Sequence, residues 1–460
     1  MIDYTLQQVI AAVEPVEVLN IDTLKTINGV TIDSRKVNVG RLFIPLNGER
    51  VNGHDFVVSV IGQGAVASLW QADQPHRPMN VPLIIVKNTY EALIKLAKSY
   101  RQTLKATFIG VTGSSGKTTT KDLIAEVAAQ GYPTQKTAGN QNNEIGLPLT
   151  ILSLDRSTKV AVIEMGIDNF GQMDLLGEIV KPDVAVITSI SESHIDNFGS
   201  LEAICQQKYQ ITHWLNEKGL LIYNAETPLL AEYAKAHPLK QRMVSYGVKI
   251  GNLKVKSYHY LSSGLAFTTN MEDFEYKIPF FGEYEINNAL AAIICGNALG
   301  ETPQEIEKGF EKVKITGHRE DLKKIGKSLI IDGTYNSNPG SLVASLEMLN
   351  NYPSKQPKIA IIGDMYGLGE KSEQLHREIG DKGEFKELEQ LWTIGDKAEL
   401  IKEGALKQHP GLKIQHFTDL ESLLSQLSVI IKEPRVILIK ASRAVKLDEV
   451  VNSLEEKNHE

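Results

Sequence analysis

The chain has 460 residues, and because a single hydrophobic core stops growing near roughly 250–300 residues, two or three domains are expected. Lys plus Arg number 49 against 56 Asp plus Glu, a net charge of -7, with 42% hydrophobic and 23% charged residues, which excludes a disordered chain and a strongly basic nucleic-acid binder. The two cysteines, Cys205 and Cys295, have no CxxC spacing, which excludes a disulfide framework or a four-thiolate zinc site and suits a reducing, cytoplasmic setting.

Near the start, Asp3 and Glu14 stand where a secretory signal needs a basic start and an unbroken apolar run, so Met1 to Leu19 reads as an ordinary helix. No apolar stretch approaches the ~18 residues that span a bilayer, so no stable membrane insertion is expected. From Gly29 to about Lys87, short β-like runs (Leu42 to Pro45, Val66 to Leu69, Leu83 to Val86) alternate with Gly, Asn and Pro turns and predict a small α/β domain. Leu93, Ile94, Leu96 and Ala97 share helical spacing within Tyr90 to Tyr100, and this helix leads to a boundary near Lys105.

Apolar strands then alternate with helices: Thr107 to Val111, Val160 to Glu164, Val184 to Thr188 and Leu220 to Asn224. That is the pattern of a parallel sheet covered on both faces. Leu253 to Phe281 alternates polar and apolar residues around turn signals at Ser262-Ser263-Gly264 and Glu272-Asp273, which predicts antiparallel hairpins, and a helix from Asn288 to Leu299 is expected to end the domain. After Gly317 a second series places strands at Ser328 to Asp332, Lys358 to Gly363, Gln390 to Gly395 and Val436 to Lys440. The expected architecture is α/β throughout, with domains at 1–104, 105–316 and 317–460; the second is a parallel-sheet nucleotide domain with appended hairpins, the third Rossmann-like.

The clearest chemical statement is Thr112-Gly113-Ser114-Ser115-Gly116-Lys117-Thr118-Thr119, placed between a buried strand and a helix. Glycines let backbone N–H groups approach phosphate oxygens, the helix N-terminus adds positive potential, Lys117 reaches the terminal phosphates and Thr118 can ligate Mg²⁺. The match is counted from Gly113, since from Gly110 the loop is one residue longer than usual. Glu164 ends an apolar strand and His194 follows another, where such sheets deliver ligands. Glu164 reads equally as a metal ligand or as a helix-cap or salt-bridge residue, and His194 as a ligand or a structural histidine. No Asn-Lys-x-Asp run supports guanine specificity.

Taken in order, Thr112 to Thr119, Thr137 to Pro148, Glu164-Met165-Gly166, His194 with Phe198-Gly199-Ser200, Thr334 to Pro339 and Gly363-Asp364-Met365 resemble the Mur ligases. Ile32-Asp33-Ser34-Arg35, Gly53-His54-Asp55-Phe56 and Lys440-Ala441-Ser442-Arg443 extend the resemblance over nearly the whole chain. It implies an N-terminal domain for a UDP-sugar nucleotide, a central ATPase domain and a C-terminal domain that closes over ATP. It further implies that ATP phosphorylates the terminal carboxylate of UDP-MurNAc-tripeptide and that the amine of D-Ala-D-Ala attacks the acyl phosphate. ATP and Mg²⁺ are then the cofactors, those two molecules the partners, and a cytoplasmic monomer the expected form.

By this resemblance, Lys117, Glu164, His194 and Lys208 are catalytic. Gly113, Ser114, Ser115, Gly116, Lys117, Thr118, Thr119, Asn288, Arg319 and Asp332 bind the nucleotide, and Ser34, Arg35, Asn142, Asn143, Tyr335 and Asn336 bind substrates. Mg²⁺ is held by Thr118, Glu164, His194 and, if carbamylated, Lys208; the alternative for Lys208 is a solvated helix lysine, and for Ser34 and Arg35 a turn with a surface arginine. Lys440 and Arg443 are expected to face the domain cleft, with a plain basic helix start as the alternative.

Three departures stand out. The adenine-contacting Gly-x-His-Asn-x-x-Asn stretch reads Gly282-Glu283-Tyr284-Glu285-Ile286-Asn287-Asn288, the paired acids before Tyr335 read Asp332-Gly333, and Gln210 replaces an acid. They keep open a diverged Mur-type amide ligase acting on another carboxylate and amine. Joint retention of Lys117, Thr118, Glu164, His194 and Lys208 argues against a degenerate nucleotide-dependent regulator. The folylpolyglutamate branch is disfavoured by the ~100 residues before the phosphate loop, which contain Asp33-Ser34-Arg35.

Overall fold

The computed structural model describes residues 1–48, 51–261, 263–314 and 321–457. Three sheets succeed one another along the chain. The first runs Glu17–Leu19, Leu83–Val86, Ala67–Gln71, Leu42–Phe43, Val30–Thr31, parallel apart from the antiparallel Glu17–Leu19 edge. The strand predicted to reach Pro45 ends at Phe43, ahead of the proline, whose nitrogen cannot donate to a ladder.

The second sheet has nine strands. Its parallel part runs Thr134–Lys136, Val160–Glu164, Thr107–Thr112, Val184–Ile187, Leu220–Asn224, Arg242–Gly247 and Leu253–Leu261, and the antiparallel strands Gly264–Thr269 and Glu275–Ile278 extend its edge as expected. Val160–Glu164 and Val184–Ile187 are buried at every residue, as strands covered on both faces must be. The helix expected from Asn288 starts earlier and runs Glu283–Leu299, with Glu283 and Glu285 in its first turn, where carboxylates favour a helix start. It does not end the domain: Pro303–Lys312 follows, opened by a Thr302–Glu305 capping box.

The third sheet runs Asp321–Ile325, Ser328–Gly333, Val436–Lys440, Lys358–Gly363, Leu388–Ile394, Lys413–Phe417, with Asp321–Ile325 an antiparallel edge. The last strand of the chain thus inserts between the first two parallel ones.

One apolar cluster crosses from the first sheet to the second, joining Ile2, Val9, Leu69, Leu93 and Leu96 to Leu147, Ile151, Leu176 and Ile204. Helix Thr89–Thr103 is its bridge, and Arg101 fastens it: the guanidinium lies 3.5 Å from the centroid of the Phe108 ring and donates to the carbonyls of Val180 (2.7 Å) and Lys181 (3.1 Å) at a helix end. The third sheet has its own clusters on two faces, entered from the second domain by Phe281 and the partly buried Tyr260 and Tyr284.

Candidate active site

Strand Thr107–Thr112 delivers the glycine loop to the carboxyl end of the central sheet, and helix Lys117–Ala128 leaves it. Gly113 has φ +147°, and a Cβ there would sit 2.0 Å from Thr188 Oγ1. Gly116 has φ +82°, and its Cβ would meet Asn288 Oδ1 at 2.6 Å. Only glycine satisfies both the conformation and the close approach. The helix starts on Gly116 without a side-chain cap, leaving its leading N–H groups to a ligand oxygen. Lys117 Nζ folds back onto the carbonyls of Gly113 (2.7 Å) and Ser114 (3.2 Å). The amides of Ser114 and Ser115, however, donate to the carbonyl and hydroxyl oxygens of Ser189, both at 2.9 Å. These two expected phosphate donors are engaged by the neighbouring loop, and the helix N-terminus supplies the open ones.

Glu164 ends its strand buried, 1% exposed, and both carboxylate oxygens accept hydrogen bonds: one from Thr118 Oγ1 (2.7 Å), the other from Asn142 Nδ2 (2.8 Å). Its own amide donates to Thr137 Oγ1 at 2.9 Å, so the loop Thr137–Asn142 closes around it. A buried carboxylate held by neutral donors is electrostatically short of a cation. Among the described residues no three His, Cys, Asp or Glu side chains form a metal cluster. Mg²⁺ does not need one beside a nucleotide, where one or two carboxylates, a hydroxyl, phosphate oxygens and water suffice, and the Glu164–Thr118 oxygen pair fits that demand.

His194 holds a left-handed backbone (φ +60°) at the start of Ile195–Phe198. Its pKa is lowered by partial burial of the ring and by the ammonium groups of Lys117 and Lys208, which keeps it neutral and available as a ligand. Lys208 is buried, 2% exposed, on helix Leu201–Tyr209, so it is no solvated helix lysine. Burial, then the charge of Lys117, push its pKa well down. Lys117, His194 and Lys208 therefore converge on one region.

Asn288 stands behind the loop: its oxygen accepts from Thr120 Oγ1 (2.9 Å) and its nitrogen donates to Glu285 (2.7 Å). Glu285 is buried and its pKa is raised to about 7 by desolvation, against the hydrogen bond from Asn288. Asn143 is exposed and caps the chain at Gly146 N (2.9 Å).

In the third domain, Asp332 is fully buried and accepts from Lys323 Nζ (3.1 Å) and Thr334 Oγ1 (2.7 Å). The Asn336 carbonyl accepts from the buried Lys440 at 3.3 Å, and the Arg443 guanidinium lies 5.7 Å from the Tyr335 ring centroid. Gln210 Oε1 is buried without a hydrogen-bond partner among the described residues. Arg319 lies outside the described residues. In the first domain, Ser34 and Arg35 form a turn; Arg35 is exposed and makes a two-pronged contact with Asp33 (2.9 and 3.0 Å), which lowers the Asp33 pKa to about 2.

Sequence reading missed Ser189, Ser191 and Ser193, which occupy alternate positions after a strand: Ser189 and Ser191 lock onto Ser115 and Ser114, and Ser193 Oγ accepts from Asn338. That alternation was the available signal. Thr137, Glu285 and Asn338 stand within the motifs quoted from the sequence but are given no role there; Asn338 caps the helix that starts at Pro339.

A glycine loop opening a helix, a buried carboxylate on the adjacent strand and a third domain that reaches the loop define a phosphate-loop protein that uses a nucleotide. Family models agree: the Mur ligase middle domain matches residues 111–296, the Mur ligase glutamate ligase domain 318–443, and the Mur ligase family catalytic domain 26–101. The UDP-N-acetylmuramoyl-tripeptide–D-alanyl-D-alanine ligase of Bacillus subtilis is 39% identical over 430 residues, 93% of each chain. A crystal structure of MurF from Acinetobacter baumannii superposes with TM-score 0.88 at 28% identity, covering 99% of both chains. MurF ligase from Thermotoga maritima, solved with ADP, gives TM-score 0.82 at 28% identity over 94% of this chain and 98% of that one. The chain belongs to the Mur ligase family.

Proposed function

We propose that this chain joins D-alanyl-D-alanine to UDP-MurNAc-tripeptide with conversion of ATP to ADP and phosphate. The observation that supports it most is the union, in one chain matching such a ligase over 93% of its length, of the phosphate loop with the constellation of Glu164, Thr118 and Asn142. The substrate carboxylate takes the γ-phosphoryl group, ADP departs, the amine attacks the acyl carbon and phosphate leaves as the amide forms. Carboxylate and triphosphate repel, so the site must concentrate positive charge where they meet, against the net charge of -7 of the whole chain.

The loop and the first turn of its helix hold the phosphates, and Lys117 swings from the Gly113 and Ser114 carbonyls toward the terminal one. Glu164, Thr118 and His194 would hold Mg²⁺, which supplies electrophilic assistance at the transferred group when bound. Lys208 adds an anionic ligand if its neutral amine takes up CO₂, releasing a proton and leaving a carbamate; its burial without a carboxylate partner among the described residues favours that modification. Asp332 serves the nucleotide; Ser34 and Arg35 hold the UDP end; and Asn142, Asn143, Tyr335 and Asn336 face the peptide and the incoming amine. We place the domains at 1–104, 105–316 and 317–460 and the enzyme in the cytoplasm as a monomer; no helix of the described residues is long and apolar enough to cross a membrane.

The test is phosphate release from ATP with UDP-MurNAc-tripeptide, with and without D-Ala-D-Ala. Strong stimulation by the dipeptide is expected; none would overturn the assignment in favour of another carboxylate and amine. ¹³C-bicarbonate labelling seen by NMR checks Lys208, where a signal lost in Lys208→Arg is expected.

A further inference from the structure

The third domain reaches the phosphate loop through the side chain of Asn338. Asn338 caps helix Pro339–Asn351: its oxygen accepts from the Ser341 amide at 2.9 Å, and its own amide donates to Ser341 Oγ at 3.0 Å. A backbone N–H can only donate, so Oδ1 must face Ser341 and the amide nitrogen must face away. There Nδ2 donates to Ser115 Oγ (3.1 Å), in the phosphate loop, and to Ser193 Oγ (2.9 Å), the residue before His194. Both hydrogens of the amide and its oxygen are therefore assigned, and one planar group ties three chain segments together.

The two serines are themselves firmly set. The Ser115 amide donates to Ser189 Oγ, and its carbonyl accepts from that hydroxyl at 3.1 Å, so loop and neighbour form one unit. Ser193 precedes a left-handed His194, a conformation that leaves little room for adjustment. The third domain meets the same segment again where a Cβ on Gly369 would lie 3.1 Å from that of Asp196.

We propose that Asn338 is a positioning residue that makes docking of the third domain a condition for the working geometry of the phosphate loop and of the His194 segment. It touches neither reacting atom. With the domain swung away, Ser115 Oγ and Ser193 Oγ lose their shared donor and only the Ser189 and Ser191 contacts keep the two segments together; with it docked, Asn338 adds the tie that reaches as far as Ser193. The inference rests on reading the loop as the ATP phosphate site.

Asn338→Ser separates this role from capping, because serine caps a helix about as well as asparagine but is too short to bridge. The expected result is a fall in kcat of about tenfold with the dissociation constant of an ATP analogue within twofold of wild type and Tm unchanged. Small-angle scattering of the ligand-free variant should show a larger radius of gyration. Ser193→Ala should reproduce part of the kcat loss, and the double variant should be no slower than Asn338→Ser, since both remove one interaction.

Wild-type kcat and compactness in Asn338→Ser would overturn the proposal, as would a kcat loss that is matched by a lower Tm and adds fully to that of Ser193→Ala. Wild-type protein in the same assay keeps the two readings apart: if it shows no dipeptide-stimulated phosphate release, the ligase assignment has failed; if it is active and the variant equals it, only the coupling has.

Discussion

The central site and the Ser34–Arg35 turn of the first domain, the segment proposed to hold the UDP end, are built on opposite plans. Around Glu164 the partners are committed: Thr118 and the half-buried Asn142 donate to its carboxylate, and Thr137 Oγ1 accepts from its amide, so the residue is held from three sides. Ser34 and Arg35 sit in a turn at the surface, where, among the described residues, the Arg35 side chain pairs with its neighbour Asp33. The region that handles charge transfer is preorganised, because preformed dipoles cost no reorganisation during reaction. A region proposed only to grip a distant part of the substrate can be assembled by the ligand itself.

Substitutions should separate the two plans. Lys117→Ala should remove one preorganised charge donor, worth about 3–4 kcal/mol in the transition state, and lower the phosphate-release rate roughly 10²–10³-fold with Tm unchanged. Near-normal turnover would break the comparison at its centre. Glu164→Gln keeps the shape but not the charge; a loss of about 100-fold is expected, accompanied by a higher Mg²⁺ concentration for half-maximal rate.

Glu285→Gln probes the rear of the loop through stability. Glu285 is buried with its pKa raised from 4.5 to about 7, so the folded state keeps a proton that the unfolded chain has already released. The contribution of Glu285 to stability should therefore be greatest below pH 4.5, fall as pH rises to about 7 and level off above. Glutamine should abolish that slope, an effect of about 3 kcal/mol read by urea unfolding at pH 5 and pH 8. Equal slopes in both proteins would mean the carboxyl is hydrated. Arg35→Ala should do least: KM for the UDP substrate rises several-fold while kcat and Tm stay put, since an exposed pair contributes little to stability. A kcat effect there would show that the two regions are not independent.

Much of this was legible in the sequence where local physics decides. The glycine loop, the apolar strands and the order of motifs obey rules that operate over a few residues. What could not be read spans distance: Asn338 and Ser115 are 223 residues apart, and nothing in either neighbourhood announces the other. The Ser114 and Ser115 amides looked available to phosphate because their partner, Ser189, comes from another strand end. Helix Glu283–Leu299 was placed too late, since the acids that read as departures from a nucleotide motif are also what its first turn favours. Lys208 could be read as a solvated or a site lysine, and only the packing around helix Leu201–Tyr209 separates the two.

The apolar cluster that joins the first two sheets has a thermodynamic consequence. A cut near residue 104 would fall between domains on paper but through the middle of a core, exposing Leu93 and Leu96 on one fragment and Leu147 and Leu176 on the other. Three sheets should therefore melt in two calorimetric steps, one for the fused pair and one for the third domain, and the isolated first domain should be insoluble while the third refolds alone.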